Sequence, residues 1–262
     1  MAKTSKYVRD LYGDPPEHID RLLNDMVLDD DQLAYANAIW DPDTLVIMAN
    51  ARSGSGKTTI ACAVANMLVK YQMYGGKYDG ILYVASPTQE QKQGYLPGSL
   101  QEKSTPYFEP MIEAMIACDM NPEVELKKPD DNKNEKNGTA IVECITHTFL
   151  RGTNLEHKII IIDEAQNYYT DELQKVLTRI HDTSKAIVIG HTGQIDLYKN
   201  RENSGFDKYI NHYQRAVDAG DKRVKICNLT HNYRGWISNF ADSINNEEWT
   251  QELLASIDHN EE

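Results

Sequence analysis

Residues 45–59 read LVIMANARSGSGKTT, and they are followed by IACAVANMLV, in which apolar residues recur at helical spacing. A short apolar run therefore leads into a loop of small residues, and the loop closes on Gly56-Lys57-Thr58 at the start of a helix. Strand, glycine-bearing loop and helix in that order are the setting that a phosphate-binding loop requires. Backbone N–H groups of such a loop converge on one point, where the helix dipole favours an anion.

The residue types in this loop fit a nucleotide bound together with Mg²⁺. Gly54 and Gly56 let the backbone approach a phosphate without a Cβ in the way. Lys57 would reach the β- and γ-phosphates, and the Thr58 hydroxyl would ligate the metal. We therefore predict that the nucleotide is held by Ser53, Gly54, Ser55, Gly56, Lys57, Thr58 and Thr59.

Two positions depart from the usual pattern G-x-x-x-x-G-K-[ST]. Ala51 stands where the first glycine is usual, which is acceptable if φ at that turn is negative. Arg52 lies inside the loop, where it either contacts phosphate or faces solvent. The alternative for the whole stretch is a strand-to-helix turn with a chance GKT, and both flanking patterns favour the phosphate loop instead.

A second motif, HKIIIIDEAQN at 157–167, places Asp163 and Glu164 directly after four isoleucines. A continuous β-branched run is typical of a central parallel strand buried on both faces. Asp163 would hold Mg²⁺, directly or through water, and Glu164 would polarise the water that attacks the γ-phosphate. The alternative is an acidic N-cap for a helix over 170–180. We expect the phosphate loop and this acid pair to meet across adjacent strand tips.

The net charge, the apolar runs and the cysteine count restrict the class of protein without deciding its partner. The net charge is −13, but residues 241–262 hold seven acidic residues and no Lys or Arg, whereas residues 32–240 carry only −2. A nucleic-acid partner is therefore neither required nor excluded. No apolar run approaches a membrane span, and no signal peptide is visible at the start. Four scattered cysteines are typical of thiols in a reducing compartment, so we expect a cytoplasmic protein.

The order of apolar runs and helical patterns predicts an α/β fold with a mainly parallel sheet and helices on both faces. Strands are expected at 81–85, before the acid pair, before Gln194, and at Val224–Leu229. We divide the chain into an N-terminal lead (1–28) with a short helix at 17–26, a single nucleotide-binding domain (29–240), and an acidic tail (241–262). WISNFADSINN (236–246) is expected to close the chain's helical pattern with a helix, and the acidic tail is expected to be solvated and irregular.

Four stretches together carry a more specific pattern. They are ARSGSGKTT (51–59), GYLPGSLQEKSTPYFEP (94–110), FLRGTNLEHKIIIIDEAQN (149–167) and LTRIHDTSKAIVIGHTGQIDL (177–197). In this order and spacing they resemble the PhoH family of P-loop ATPases, whose core is related to superfamily 1 helicases. The resemblance covers roughly residues 29–240.

This resemblance implies a RecA-like fold that binds ATP with Mg²⁺ and hydrolyses it, with Lys57, Thr58, Asp163, Glu164 and Gln194 in the site. It implies more weakly that the chain acts on RNA or single-stranded DNA. The family commonly has Gly-Asp before the glutamine, whereas this chain has Gly190-His191. His191 is therefore either a packed or solvated residue or one that changes turnover.

Two glutamines are further candidates. Gln32 lies in a predicted helix, DDDQLAYANAIWD (29–41), shortly before the phosphate-loop strand. In many helicase-like P-loop ATPases a glutamine in such a position reads the adenine edge; the alternative is a surface helix residue. Gln194 follows the strand SKAIVIG, where a polar side chain can sense the γ-phosphate or the attacking water.

The remaining catalytic group is an arginine that stabilises the transferring phosphoryl group. Superfamily 1 helicases supply it from a second RecA-like domain, for which we expect this chain to be too short. The candidates Arg151, Arg179 and Arg234 would act in trans from a neighbouring subunit of a homo-oligomer, or folded back in cis, unless they only pair with surface carboxylates. Arg234 ranks first because it follows the last strand.

Three functions remain open at this point. The first is an ATPase acting on RNA or single-stranded DNA, with bases stacked on Tyr95, Tyr107, Tyr168 and Tyr169, although tyrosines are more often buried or half-buried. The second is an ATP-driven regulator of a protein partner, which the near-neutral charge of the central residues favours mildly. The third is a nucleotide-binding module with little hydrolysis.

Overall fold

A single parallel sheet organises the molecule. The computed structural model describes residues 14, 26–86, 105–128, 138–150, 154–193 and 204–255. The six strands of its sheet are β1 Val46–Ala51, β2 Gly80–Ala85, β3 Val142–Thr146, β4 Lys158–Ile162, β5 Lys185–Gly190 and β6 Val224–Leu229. Their order is β3-β2-β4-β5-β1-β6, and every neighbouring pair is parallel.

Helices connect and cover these strands. The longer ones are α1 Asp30–Trp40, α2 Lys57–Lys70, α3 Glu109–Ala117, α4 Thr170–Leu177, α5 Gly205–Asp218, α6 Trp236–Asp242 and α7 Glu247–Ala255. Short helical turns occur at Met73–Gly76, Thr105–Phe108, Pro122–Glu125, His147–Leu150, Ala165–Asn167 and Ser243–Asn245. Within this part of the chain, each helix is too short or too polar to cross a bilayer.

The isoleucine run of β4 shows how the core is divided. Ile159 and Ile161 are buried in one apolar cluster with α1, α2 and α3, whereas Ile160 and Ile162 are buried in a second cluster with α4 and α5. Successive strand residues point to opposite faces, so a strand covered on both sides needs apolar residues at every position. The predicted α/β fold with a parallel sheet and helices on both faces is confirmed.

The prediction that the two motifs follow adjacent strands of the sheet is wrong. The strand that precedes the phosphate loop, β1, pairs with β5 and β6, and the strand that precedes the acid pair, β4, pairs with β2 and β5. β5 therefore separates the two motifs, and their side chains have to meet across its tip. An apolar pattern identifies a buried strand, but strand order depends on which helices pack together over the sheet.

The C-terminal residues also differ from the expectation. Residues 247–255, predicted to be irregular, form α7, whose first turn is capped because Trp249 N–H donates to Asn246 Oδ1 at 3.0 Å. The helix predicted from WISNFADSINN (236–246) is present as α6, which crosses residue 240, the predicted end of the nucleotide-binding domain. The domain division itself stays a prediction, and most of the helix predicted at 17–26 lies outside the described residues.

Candidate nucleotide-binding site

The phosphate loop forms as the sequence predicts. β1 ends at Ala51, α2 begins at Lys57, and both Gly54 (φ +72°) and Gly56 (φ +78°) adopt the left-handed conformation that favours glycine. Ala51 is not among the residues with positive φ, so the missing first glycine leaves no strain there. The first amides of α2 have no acceptor within the helix and remain available to an anion.

Gly54 is also where the chain after β6 packs on the loop. Tyr233 N–H donates to the Gly54 carbonyl oxygen at 3.0 Å. A Cβ on Gly54 would lie 2.4 Å from Asn232 Oδ1 and 2.7 Å from Arg234 Cγ. This glycine therefore permits a left-handed turn and a close approach by residues 232–234 at the same time.

The two motifs meet through two side-chain contacts. The Thr58 hydroxyl donates to Asp163 Oδ2 at 2.8 Å, and Lys57 Nζ lies 3.2 Å from Glu164 Oε1. These contacts join residues 105 and 107 positions apart in the chain. The loop and the acid pair thus converge as predicted, although β5 lies between their strands.

Asp163 is the buried member of the acid pair. Tyr83 OH donates to its Oδ2 at 3.2 Å, and the Glu164 amide donates to its Oδ1 at 2.8 Å. Burial raises the pKa of Asp163 above its ordinary value, and the Lys57 ammonium acts in the opposite direction. A carboxylate whose ionised form is disfavoured by burial gains from a nearby cation. With the Thr58 hydroxyl it forms the oxygen donor set that Mg²⁺ prefers, so these residues fit the metal.

The alternative explanation of the acid pair as a helix cap is wrong. The N-cap of α4 is Tyr169, five residues beyond Glu164 in the chain. Glu164 precedes the turn Ala165–Asn167 with φ +51°, and its side chain makes no capping hydrogen bond there. A left-handed φ is unfavourable for a residue with a Cβ. Glu164 therefore holds an uncommon backbone conformation at the site.

A further polar group in the loop points to a ligand. Ser55 Oγ is buried and has no hydrogen-bond partner in the described part of the structure. A buried hydroxyl without a partner is costly. The position of Ser55 between Gly54 and Gly56 fits a group that meets phosphate oxygens.

Gln166 is a site residue to which the sequence analysis gave no role. Its Nε2 donates to Glu164 Oε2 at 2.5 Å, and its Oε1 accepts from the His191 amide at 3.0 Å. It therefore connects the acid pair to the end of β5. The structure gives the backbone of His191 this role in the site. The signal was present in the motif DEAQ, but the partner lies 25 residues away and only the fold reveals it.

Gln32 holds the phosphate loop through a hydrogen bond from α1. It is 4% exposed, so the surface alternative is wrong. Its Nε2 donates to the Ser55 carbonyl at 2.9 Å, and its Oε1 accepts from the Asp29 amide at 3.1 Å in the capping box of α1. Adenine recognition by Gln32 stays a prediction, and it would have to share these two groups.

The candidate arginines occupy different places. Arg234 lies on the phosphate loop of its own chain, where Nη1 donates to Ser53 Oγ at 2.5 Å. Arg179 follows α4 near the amino end of β4, at the sheet edge opposite the site. It donates to the backbone carbonyls of Lys175 and Leu150, and no carboxylate among the described residues pairs with it. Arg151 and Gln194 lie outside the described residues.

Arg52 has a partner that neither sequence alternative named. Its guanidinium carbon lies 4.0 Å from the centroid of the Trp249 ring in α7. This is a cation–π contact between the phosphate loop and the C-terminal helix.

Burial reduces the number of aromatic residues that could stack bases. Tyr168 is fully buried and donates to the Val84 carbonyl at 3.2 Å, so its selection for stacking is wrong. Tyr107 is partly buried against the core, and Tyr95 lies outside the described residues. Tyr169 remains, 37% exposed, and Phe149, 54% exposed, is an aromatic that the sequence analysis did not select.

We expect Gly54→Ala to destabilise the protein more than Gly220→Ala does. Both glycines have a left-handed φ, but no atom lies within 4 Å of a Cβ at Gly220. The control therefore reports the backbone penalty of roughly 1–2 kcal/mol, and the excess at Gly54, roughly 1–3 kcal/mol, reports the overlap with Asn232 and Arg234. Urea unfolding of both variants measures the difference. Equal losses would show that residues 232–234 do not pack on the loop.

Comparison with known proteins places this site in a family. A family model described as PhoH-like protein matches residues 27–233. Among solved structures, the Pif1 helicase from Bacteroides in complex with ADP-AlF3 and ssDNA is similar over 88% of this chain and 49% of that chain, with 16% identity and a TM-score of 0.39.

Curated relatives carry the same family name. A PhoH-like protein of Mycobacterium leprae is 32% identical over 169 residues, which are 63% of this chain and 44% of the relative. The protein PhoH of Escherichia coli K12 is 30% identical over 171 residues, covering 63% and 44%. The chain spans less than half the length of these relatives. Because the family model covers both motifs and the sheet that joins them, the chain belongs to the PhoH family.

Proposed function

We propose that this protein is a Mg²⁺-dependent ATPase. The observation that supports it best is the pair of contacts Thr58–Asp163 and Lys57–Glu164, which brings a metal-ligating pair and a catalytic pair to one phosphate loop. Phosphoryl transfer needs little beyond positioning and charge stabilisation, and this edge of the sheet supplies the groups for both.

The chain's own residues divide the work. Loop amides and Ser55 would hold the phosphates, and Lys57 would leave Glu164 for the more highly charged γ-phosphate. Glu164 Oε1 would then be available to orient a water, while its Oε2 stays fixed by Gln166. Thr58 and Asp163 would hold Mg²⁺, which when bound neutralises phosphate charge. Gln194 keeps its predicted role as a sensor of the γ-phosphate.

We assign the catalytic arginine to Arg234 acting within its own chain. Its side chain already lies beside Ser53 of the loop, so a turn of the guanidinium would suffice to reach a phosphate. Such an arginine commonly contributes about 10³ to 10⁵ in rate. A homo-oligomer remains a separate proposal, because this placement removes the need for an arginine in trans.

The partner that we propose is RNA or single-stranded DNA. Phe149 lies on the turn after β3 and Tyr169 caps α4, and these two elements are in contact at the sheet edge that carries the site. Exposed aromatics stack bases at a gain of roughly 1–3 kcal/mol per base. The four free cysteines fit a reducing compartment, so we place the protein in the cytoplasm, which cell fractionation would test.

A regulator that binds a protein partner is the second candidate. The near-neutral charge of residues 32–240 favours it, since binding to a polyanion usually relies on a basic surface. A nucleotide-binding module without turnover is the third, and a direct hydrolysis assay separates it from the others.

Lys57→Ala should abolish ATP hydrolysis, because the phosphates lose their ammonium. Glu164→Gln should keep nucleotide bound but lower turnover by roughly 10² or more, the usual contribution of a general base. Phosphate release and equilibrium binding of a labelled nucleotide measure the two effects. Lys175→Ala, which removes an exposed ammonium paired with Asp171, is the matched control. Full turnover by Glu164→Gln would remove Glu164 from the base role.

Single-stranded RNA or DNA should stimulate the wild-type ATPase. Phe149→Ala and Tyr169→Ala should each weaken binding of the stimulating oligonucleotide by about fivefold or more, as loss of one stacked base predicts. Ile116→Ala, which removes an exposed apolar side chain from α3 on the other face, is the control. Turnover that no oligonucleotide changes would favour the protein-binding regulator.

Mixing two inactive variants should not restore activity if Arg234 acts in cis. In a mixture of Lys57→Ala and Arg234→Ala, each chain lacks one group of its own site. Turnover assays on the mixture, with light scattering to report subunit association, measure this. Recovered activity would show that a neighbouring subunit supplies the arginine.

A further inference from the structure

The C-terminal arm, defined here as residues 235–255, is attached lightly to the rest of the molecule. In the described part of the chain, no residue of the arm belongs to either apolar cluster, and Trp236, Ile237 and Ile244 are 51%, 81% and 82% exposed. Its internal contacts are the stacked rings of Trp236 and Phe240 and polar contacts such as those of the Thr250 hydroxyl with Ser243 and Asn246. Hydrogen bonds of Ser238 and Asn239 with Asn232 join the arm to the preceding residues. An element that buries so little apolar surface detaches at small cost.

The arm nevertheless touches the phosphate loop at a defined point. Trp249 of α7 lies under the Arg52 guanidinium at 4.0 Å. Arg52 is part of the loop itself, because its amide donates to the Leu229 carbonyl and its carbonyl accepts from the Ser55 amide. The sequence of the loop contains two cations, Arg52 and Lys57. Only Lys57 is directed at the acid pair.

The arm is negatively charged, like a nucleotide, and would repel it. Glu247, Glu248 and Glu252 lie on α7 together with Trp249, and residues 241–262 contain no Lys or Arg. A triphosphate would therefore approach an acidic helix seated beside the loop, and like charges at this range repel. The same phosphate would attract Arg52 more strongly than a neutral ring does.

We propose that the C-terminal arm and the triphosphate compete for Arg52. With the arm seated, Arg52 is held on Trp249, and an acidic helix lies at the edge of the loop. With nucleotide bound, Arg52 contacts phosphate and the arm is released. Arg52 is thus a further phosphate-binding residue whose availability the arm controls. This inference rests on the proposed ATP site and assigns a control element to it.

Trp249→Ala should strengthen binding of a non-hydrolysable ATP analogue with Mg²⁺ by about two- to fivefold, the usual value of an exposed cation–π contact. Trp249→Phe, which keeps a weaker ring, should give a smaller gain. Trp236→Ala is the matched control, because Trp236 lies on the arm and stacks on Phe240 without touching Arg52. Equilibrium titrations of the chain of residues 1–262 at low salt measure the wild type and the three variants.

A second set of variants isolates Arg52. Arg52→Ala should weaken analogue binding, and adding Trp249→Ala to it should bring no further change, because the two residues act through one contact. Analogue binding should also alter the fluorescence of Trp249 in the Trp236→Ala background, where Trp40 is the only other tryptophan.

The outcomes are distinguishable. Unchanged affinity in Trp249→Ala, or a gain that persists without Arg52, overturns the competition while leaving the ATP site in place. Failure of the wild-type protein to bind any nucleotide overturns the proposed function and this inference together. A gain in Trp249→Ala that disappears in the double variant supports the competition.

Discussion

The structure depends on the meeting of two short motifs across the tip of one strand. Thr58 and Asp163 are in hydrogen-bond contact although they lie 105 positions apart in the chain, and this contact requires β1, β5 and β4 to end at the same sheet edge. Parallel pairing is the arrangement that puts all their carboxyl ends together. At that edge Asp163 is buried and Glu164 adopts a left-handed backbone conformation.

Sequence patterns identified the two motifs of the candidate site because each motif has a local signal. The glycines of the loop, the GKT at a helix start and the acid pair after four isoleucines each carry their own physical reason, and none needs the rest of the fold. The order of the strands in the sheet could not be obtained from these patterns, because apolar periodicity identifies a strand without saying which strand pairs with it. The insertion of β5 between the motifs was therefore not predicted.

The role of Gln166 was missed, and the contacts of Gln32 were not predicted, because their partners are distant in the sequence. Gln32 and Gln166 are buried amides bonded to groups 23 and 25 residues away, and in sequence they are ordinary helix and turn glutamines. Tyr168 and Tyr169 are adjacent, yet one is fully buried and the other is 37% exposed. That difference follows from the turn after β4, which no composition or spacing rule describes.

The cations around the loop share one property that shapes nucleotide binding. Lys57 contacts Glu164, Arg234 contacts Ser53, and Arg52 contacts Trp249, so each has a partner within the chain. Binding of the proposed triphosphate would then be an exchange of partners, and its affinity would be a difference between two sets of contacts. The partners differ in strength, from a carboxylate to a hydroxyl to a neutral ring. Arg52 is therefore the cation that phosphate would take at least cost, and the arm that holds it is the part of the molecule best placed to control the exchange.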